Sequence, residues 1–216
     1  MACKWDEIRL YDYLRKFNNV SLFELLTDYT HQFFNDLKER MENEGNAYIV
    51  LSGLLDSGKS WNAIYIAKKL SDMQGSEFTI NHIVTNLKQF ANLLKKYKRN
   101  FTCVFEEAQN FVGTDVWMEI PKELKDVITS QRKLQINIVY TSILPEKLYF
   151  GVRQVLNYLI EMRYKNCREH AHGYVYQVDT VMLKLQGSFR GCITIPLSWL
   201  KSDEECWNIL HFQFSL

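Results

Sequence analysis

The sequence predicts an α/β fold, with a mainly parallel sheet, helices on both faces and an antiparallel C-terminal extension. Three observations predict it. From residue 47 onward, short apolar runs alternate with helical stretches, the pattern of successive βα units. A glycine-bearing loop joins the first of these runs to the first helix of the series. The last three runs, near 157–164, 173–180 and 190–195, follow one another too closely for crossover helices and are expected to be antiparallel.

Taken in order, residues 5–43 read as two amphipathic helices. Ile8, Leu10, Tyr13, Leu14 and Phe17 recur at helical spacing in the first, and Leu22, Phe23, Leu25, Leu26, Tyr29, Phe33, Phe34 and Leu37 in the second. Asn18-Asn19 breaks them, and Ser21 with Glu24 has the form of a capping box. Ala47–Ser52 is the first strand, followed by a helix over about 59–72. A strand near 78–84, a helix near 86–98, the strand Phe101–Phe105, a helix over Pro121–Lys133 and the strand Ile136–Thr141 come next. A short helix after Pro145 precedes the three final strands. The expected organisation is a helical N-terminal extension (1–46), a core (47–200) and a C-terminal tail (201–216).

Composition limits the function classes. There are 26 Lys+Arg against 25 Asp+Glu, so the formal net charge is +1 and a uniformly cationic nucleic-acid coat is excluded; a polyanion site would have to be local. Hydrophobic residues make up 47% of the chain, enough for a core without staples. The five cysteines, Cys3, Cys103, Cys167, Cys192 and Cys206, are odd in number and include no CxxC pair, which indicates reduced thiols and a cytoplasmic setting. No stretch approaches the roughly 18–20 apolar residues that span a bilayer, so no integral membrane segment is expected.

Residues Gly53-Leu54-Leu55-Asp56-Ser57-Gly58-Lys59-Ser60 match G-x-x-x-x-G-K-[ST], between a predicted strand and a predicted helix where a phosphate-binding loop must lie. The backbone N–H groups of such a loop converge on phosphate oxygens, aided by the positive end of the following helix. Residues 53–60 and the adjoining Trp61 form the expected nucleotide-binding set. Lys59 would reach the β- and γ-phosphates, and the Ser60 hydroxyl would ligate Mg²⁺.

Glu106-Glu107 directly follows the apolar run 101–105, giving the acidic strand end that an NTPase needs. Glu106 is expected to support the metal. Glu107 is expected to orient the attacking water and accept its proton.

Phe105-Glu-Glu-Ala-Gln-Asn-Phe111 resembles the second motif of the HerA/FtsK superfamily of DNA-translocating ATPases. Gln131-Arg-Lys-Leu-Gln-Ile-Asn-Ile-Val-Tyr-Thr-Ser-Ile-Leu-Pro145 is similar to that superfamily's arginine-bearing helix end, fourth strand and proline loop. The likeness covers residues 47 to about 165. It implies a RecA-like (ASCE-type) P-loop NTPase with an extra strand between the phosphate-loop strand and the acidic strand, hydrolysing ATP with Mg²⁺. It also implies a homo-oligomeric, hexameric ring acting on double-stranded DNA. Arg132 falls on the arginine that reaches a neighbouring subunit's nucleotide, and Arg153 is the second candidate for that role. Where the family has a glutamine sensor this chain has Ile143, so either Thr141 or Ser142 takes the part or hydrolysis is coupled to movement differently here.

A core this small resembles the DNA-packaging ATPases of viruses. That resemblance implies the host cytoplasm and a virion vertex as locations, and a capsid vertex or portal protein as partner. A cellular or plasmid DNA translocase or helicase, a phage-assembly ATPase of the zonula-occludens-toxin type and a non-hydrolysing nucleotide switch are the alternatives.

Four further features favour structural roles. Lys95-Lys96-Tyr97-Lys98-Arg99 suits a helix C-terminus, although it could contact DNA phosphates. Pore contacts are expected from the loop 114–125 instead, in which Trp117 reads as a buried anchor beside Met118. Cys167, His170 and His172 lack an evident fourth ligand for a metal site. The tail reads as a last strand packed on the core, with a docking segment as the alternative.

Overall fold

The computed structural model describes residues 28–55, 57–129, 134–163, 170–178 and 187–196. The expected first helix, Ser21 with its capping box, and the C-terminal tail lie outside those residues.

Runs with no polar alternation form strands buried on both faces. Three are continuous in this way: β1 (Tyr48–Ser52), β3 (Phe101–Phe105) and β4 (Ile136–Ser142), in which every residue is buried. With β2 (Ile83–Val84), β5 (Tyr158–Arg163), β6 (His170–Val178) and β7 (Gly187–Pro196) they form one seven-stranded sheet in the order β2-β3-β4-β1-β5-β6-β7. β4 therefore stands between β1, which leads into the phosphate loop, and β3, which carries the acids. This is the RecA-like (ASCE-type) order of a P-loop NTPase fold.

Successive side chains point to opposite faces. Ile49, Leu51, Val104 and Val139 face one layer, against α1 (Thr30–Glu44) and α2 (Lys59–Gln74). Tyr48, Val50, Cys103, Phe105, Ile138 and Tyr140 face the other. That second layer holds α3 (Leu87–Tyr97), the single turn α4 (Gln109–Val112), α5 (Lys122–Thr129) and α6 (Phe150–Val155). In α1, Phe33 and Leu37 are fully buried in the first layer, and Gly45 at φ 85° ends the helix with its N–H on the Met41 carbonyl.

The structure corrects one expectation. The predicted strand 78–84 is only two residues long, because Thr79 and His82 form a capping box that winds Ile80–His82 into a 3-10 turn. The last three strands are antiparallel to one another, as expected, and the first of them joins the parallel part of the sheet. β5 runs parallel to β1, Ile49 opposite Tyr158 through Ser52 opposite Glu161, and only β5–β6 and β6–β7 are antiparallel. The segment 143–157, with α6 inside it, is long enough to carry the chain across from β4 to the far side of β1.

Candidate nucleotide site

β1 ends at Ser52, and the chain turns at Gly53 (φ 146°) and Gly58 (φ 84°) before α2 begins at Lys59. A Cβ on Gly53 would lie 2.7 Å from the Met162 carbonyl oxygen of β5 and 2.8 Å from Ser57 Oγ, so the loop passes where no side chain fits. Asn62, buried one turn into α2, donates its amide Nδ2 to the Gly58 carbonyl at 2.6 Å and ties the loop to its helix. The sequence reading missed this residue. Its signal is a polar side chain four positions beyond Gly58, on the helix face that is otherwise apolar.

Lys59 Nζ donates to the carbonyls of Gly53 (2.9 Å) and Leu54 (2.7 Å), which holds the ammonium across the loop. Ser57 is buried, with an Oγ that has no hydrogen-bond partner among the described residues. Leu54 and Leu55 are exposed at the apex, while Asp56 lies outside the described residues. Trp61 is half-buried, and its side chain packs against the first layer.

Ser60 Oγ donates to Glu106 Oε1 at 2.5 Å, across 46 positions of sequence. The strand order brings together the two oxygens expected at the metal. Burial raises the Glu106 carboxyl above its ordinary value, and Glu107 adds to the effect; the hydrogen bond from Ser60, the Thr141 side chain and the charge of Lys59 oppose it. Hard oxygen donors next to an ammonium suit Mg²⁺ bound to a polyphosphate. Ser60 and Glu106 are the residues that fit it.

Glu107 is exposed, in left-handed backbone at φ 49°, and its Oε2 accepts from Asn110 Nδ2 at 2.9 Å. At the end of β4, Ser142 Oγ donates to the Leu144 carbonyl at 2.9 Å and Ile143 is partly exposed.

The two arginines fare differently. Arg132 lies outside the described residues. Arg153 is on α6 with its guanidinium 5.9 Å from the Phe150 ring and its buried Nε unpartnered among the described residues.

Trp117 is buried and stacks on Tyr149 at 4.1 Å and 8°, as an anchor would, whereas Met118 is 83% exposed. The basic cluster at 95–99 ends α3 just before β3 begins, at the opposite end of that strand from Glu106. Cys167 lies outside the described residues, and among those residues no three His, Cys, Asp or Glu side chains gather as a metal site. No described helix is long and apolar enough to cross a membrane.

No protein-family model and no curated protein matches the chain. Among solved structures, the N-terminal domain of zonular occludens toxin from Neisseria meningitidis is similar at 13% identity and TM-score 0.43, covering 67% of this chain and 93% of that one. The genome packaging NTPase B204 of Sulfolobus turreted icosahedral virus 2, in complex with AMPPCP, is similar at 10% identity and TM-score 0.46, covering 68% and 97%. A DNA polymerase III gamma subunit-related protein of Thermotoga maritima gives 6% identity and TM-score 0.45, covering 62% and 46%. Likeness at this level carries no functional information.

Proposed function

We propose that this chain is a Mg²⁺-dependent ATPase that drives double-stranded DNA through a homohexameric ring, most concretely the genome-packaging motor of a virus. The observation that carries the hydrolase reading is the meeting of Ser60 and Glu106 beside Lys59, with Glu107 the next residue. The DNA-motor reading rests on the HerA/FtsK-like motifs at 105–111 and 131–145. It implies work in the host cytoplasm and at a virion vertex, against a capsid or portal partner.

The roles proposed for Lys59, Ser60, Glu106 and Glu107 rest on this geometry, and those of the arginines on the motifs. Lys59 exchanges two loop carbonyls for the β- and γ-phosphates of ATP. Ser60 turns its hydroxyl from Glu106 to the metal, and Glu106 supports the metal from the strand end. Mg²⁺, when held by Ser60 and Glu106, would supply neutralisation of the charge on the phosphates. Glu107, oriented by Asn110, accepts a proton from the attacking water; the water oxygen bonds to the γ-phosphorus as the bond to the bridging oxygen of the ADP leaving group breaks. Arg132, or Arg153 in its place, reaches a neighbouring subunit's nucleotide and makes turnover depend on assembly.

The test is steady-state ATP hydrolysis against protein concentration, with and without long double-stranded DNA, and with Glu107→Gln as control. A rate per subunit that rises with concentration and with DNA, and vanishes in the variant, is expected. The apolar Ile143 at the sensor position favours one second reading, a nucleotide switch that binds ATP tightly without sustained turnover. A flat, near-zero rate with tight ATP binding would select it and refute the motor.

A further inference from the structure

Something must tie the end of β4 to the two acids, and three neighbouring side chains are available. Ile143 has no polar atom. The hydroxyl of Ser142 is spent on the Leu144 carbonyl within its own loop. Thr141 is different: it is buried and held opposite Leu51 of β1, and its hydroxyl and carbonyl both bond to the acidic segment.

Thr141 Oγ1 accepts from the Glu107 N–H at 2.8 Å, and its carbonyl accepts from the Ala108 N–H at 2.9 Å. The Thr141 side chain also lies where it favours the ionised form of the Glu106 carboxyl. A hydroxyl has one proton and two lone pairs, so it can donate to the carboxylate and accept from the N–H at once. The Glu106 N–H is taken by the Val84 carbonyl of β2. Three successive N–H groups of the acidic segment are thus held by two strands, and the middle one depends on a single side-chain oxygen. That middle residue is Glu107, whose left-handed backbone is uncommon for a residue with a side chain and persists only where its surroundings enforce it.

We propose that Thr141 is the positioning residue of this site: its hydroxyl fixes Glu107 in its left-handed conformation and fastens Glu106 beside Ser60, in place of a polar side chain at Ile143. The proposal rests on the ATPase reading and deepens it. Thr141 does not touch the nucleotide. It acts through the two glutamates, so its loss should lower the rate of the chemical step and leave ATP binding to the loop almost untouched.

The experiment compares Thr141→Val, Thr141→Ser and the wild type as full chains, measuring kcat and KM for ATP with Mg²⁺ and long double-stranded DNA. Valine keeps the shape and strand preference of threonine but has no hydroxyl; serine keeps only the hydroxyl. Loss of a buried hydrogen bond to a charged group predicts a kcat roughly ten- to hundred-fold lower in Thr141→Val, with KM within about three-fold of wild type and serine close to wild type. A residue that merely packed would give the reverse order, valine active and serine weakened, and that result overturns the proposal. Equal activity of both variants overturns it too. If Thr141→Val does not fold by circular dichroism, Thr141→Ala takes its place against serine with the same expectations. A wild type without turnover would overturn the hydrolase reading and this proposal together, whereas an active wild type with an unaffected valine variant overturns this proposal alone.

Discussion

Gly53→Ala tests whether the phosphate loop is shaped by its contact with β5. The added methyl would sit 2.7 Å from the Met162 carbonyl oxygen and 2.8 Å from Ser57 Oγ, at a φ of 146° that side chains rarely adopt. The Ser57 hydroxyl can rotate away. Met162 cannot yield as easily, because it lies in a strand paired with β1 on one side and β6 on the other, opposite Gly173. Left-handed strain and overpacking together predict a loss of about 2–5 kcal/mol. Gly75→Ala is the control: its φ is 63° but nothing lies within 4 Å, so only the backbone cost of about 1 kcal/mol applies. Urea unfolding at constant m-value measures the stabilities, and calorimetry measures ATP binding. Gly53→Ala should lose ATP affinity more than about ten-fold, the 1.4 kcal/mol step, while Gly75→Ala keeps it. Adding Ser57→Ala should not rescue Gly53→Ala. Two variants of equal stability and unchanged affinity, or full rescue by Ser57→Ala, would refute the assignment of the constraint to the β5 backbone.

Arg132→Ala should keep nucleotide but lose turnover, and mixing it with Glu107→Gln subunits should restore part of the activity at composite interfaces; verified mixed rings with no rescue would exclude the arginine from acting in trans. Phe33→Ala should cost about 3–5 kcal/mol in urea unfolding, since its ring is fully buried and meets those of Phe34 and Tyr158 at 5.3 Å; a cost below about 1 kcal/mol would show that α1 is not part of the cooperative core. His82 is buried in an aromatic box with Phe78, Tyr97 and Phe101, and burial lowers its pKa below the ordinary 6.5, with Glu77 opposing and Lys96 assisting the shift. Its contribution is therefore full above pH 6.5 and is lost as the pH falls towards its folded pKa. Stability should decline as the pH falls below 6.5, with a slope of at most about 1.4 kcal/mol per unit for this one proton, and His82→Gln should flatten it; an unchanged slope in the variant would refute that origin.

What was legible in the sequence was whatever a short stretch determines by itself. β1, β3 and β4 are continuous apolar runs, and their burial at every position follows directly. The phosphate loop announces itself by two glycines, a lysine and a serine at fixed spacing. The shortness of β2 was hidden because Phe78–Val84 has strand-like composition, while a histidine side chain bonding back to the Thr79 N–H winds part of it into a turn. The pairing of β5 with β1 was hidden because it depends on which neighbour the strand finds. Thr141 could be narrowed to one of two hydroxyls, yet choosing between them required the position of a backbone N–H 34 residues away.

The same long-range dependence governs the register that assembles the site. At the start of β1, the Asn137 side chain accepts from the Ala47 N–H and the Asn157 side chain from the Tyr48 N–H, both at 2.7 Å. One amide comes from β4 and the other from just before β5, so β1 is pinned from both sides at the end of the sheet away from the loop. A slip of one residue would turn Ile49 and Leu51 out of the α1–α2 layer, and it would leave these buried amides without partners. With the pins in place, Ser52 lies opposite Ser142 and Glu161, and Leu51 opposite Thr141. The loop is thereby delivered next to Thr141 and, one strand further on, to Glu106. The polar residues at the far end of β1 therefore act on the nucleotide site without being near it, by fixing how far along its neighbours the strand extends.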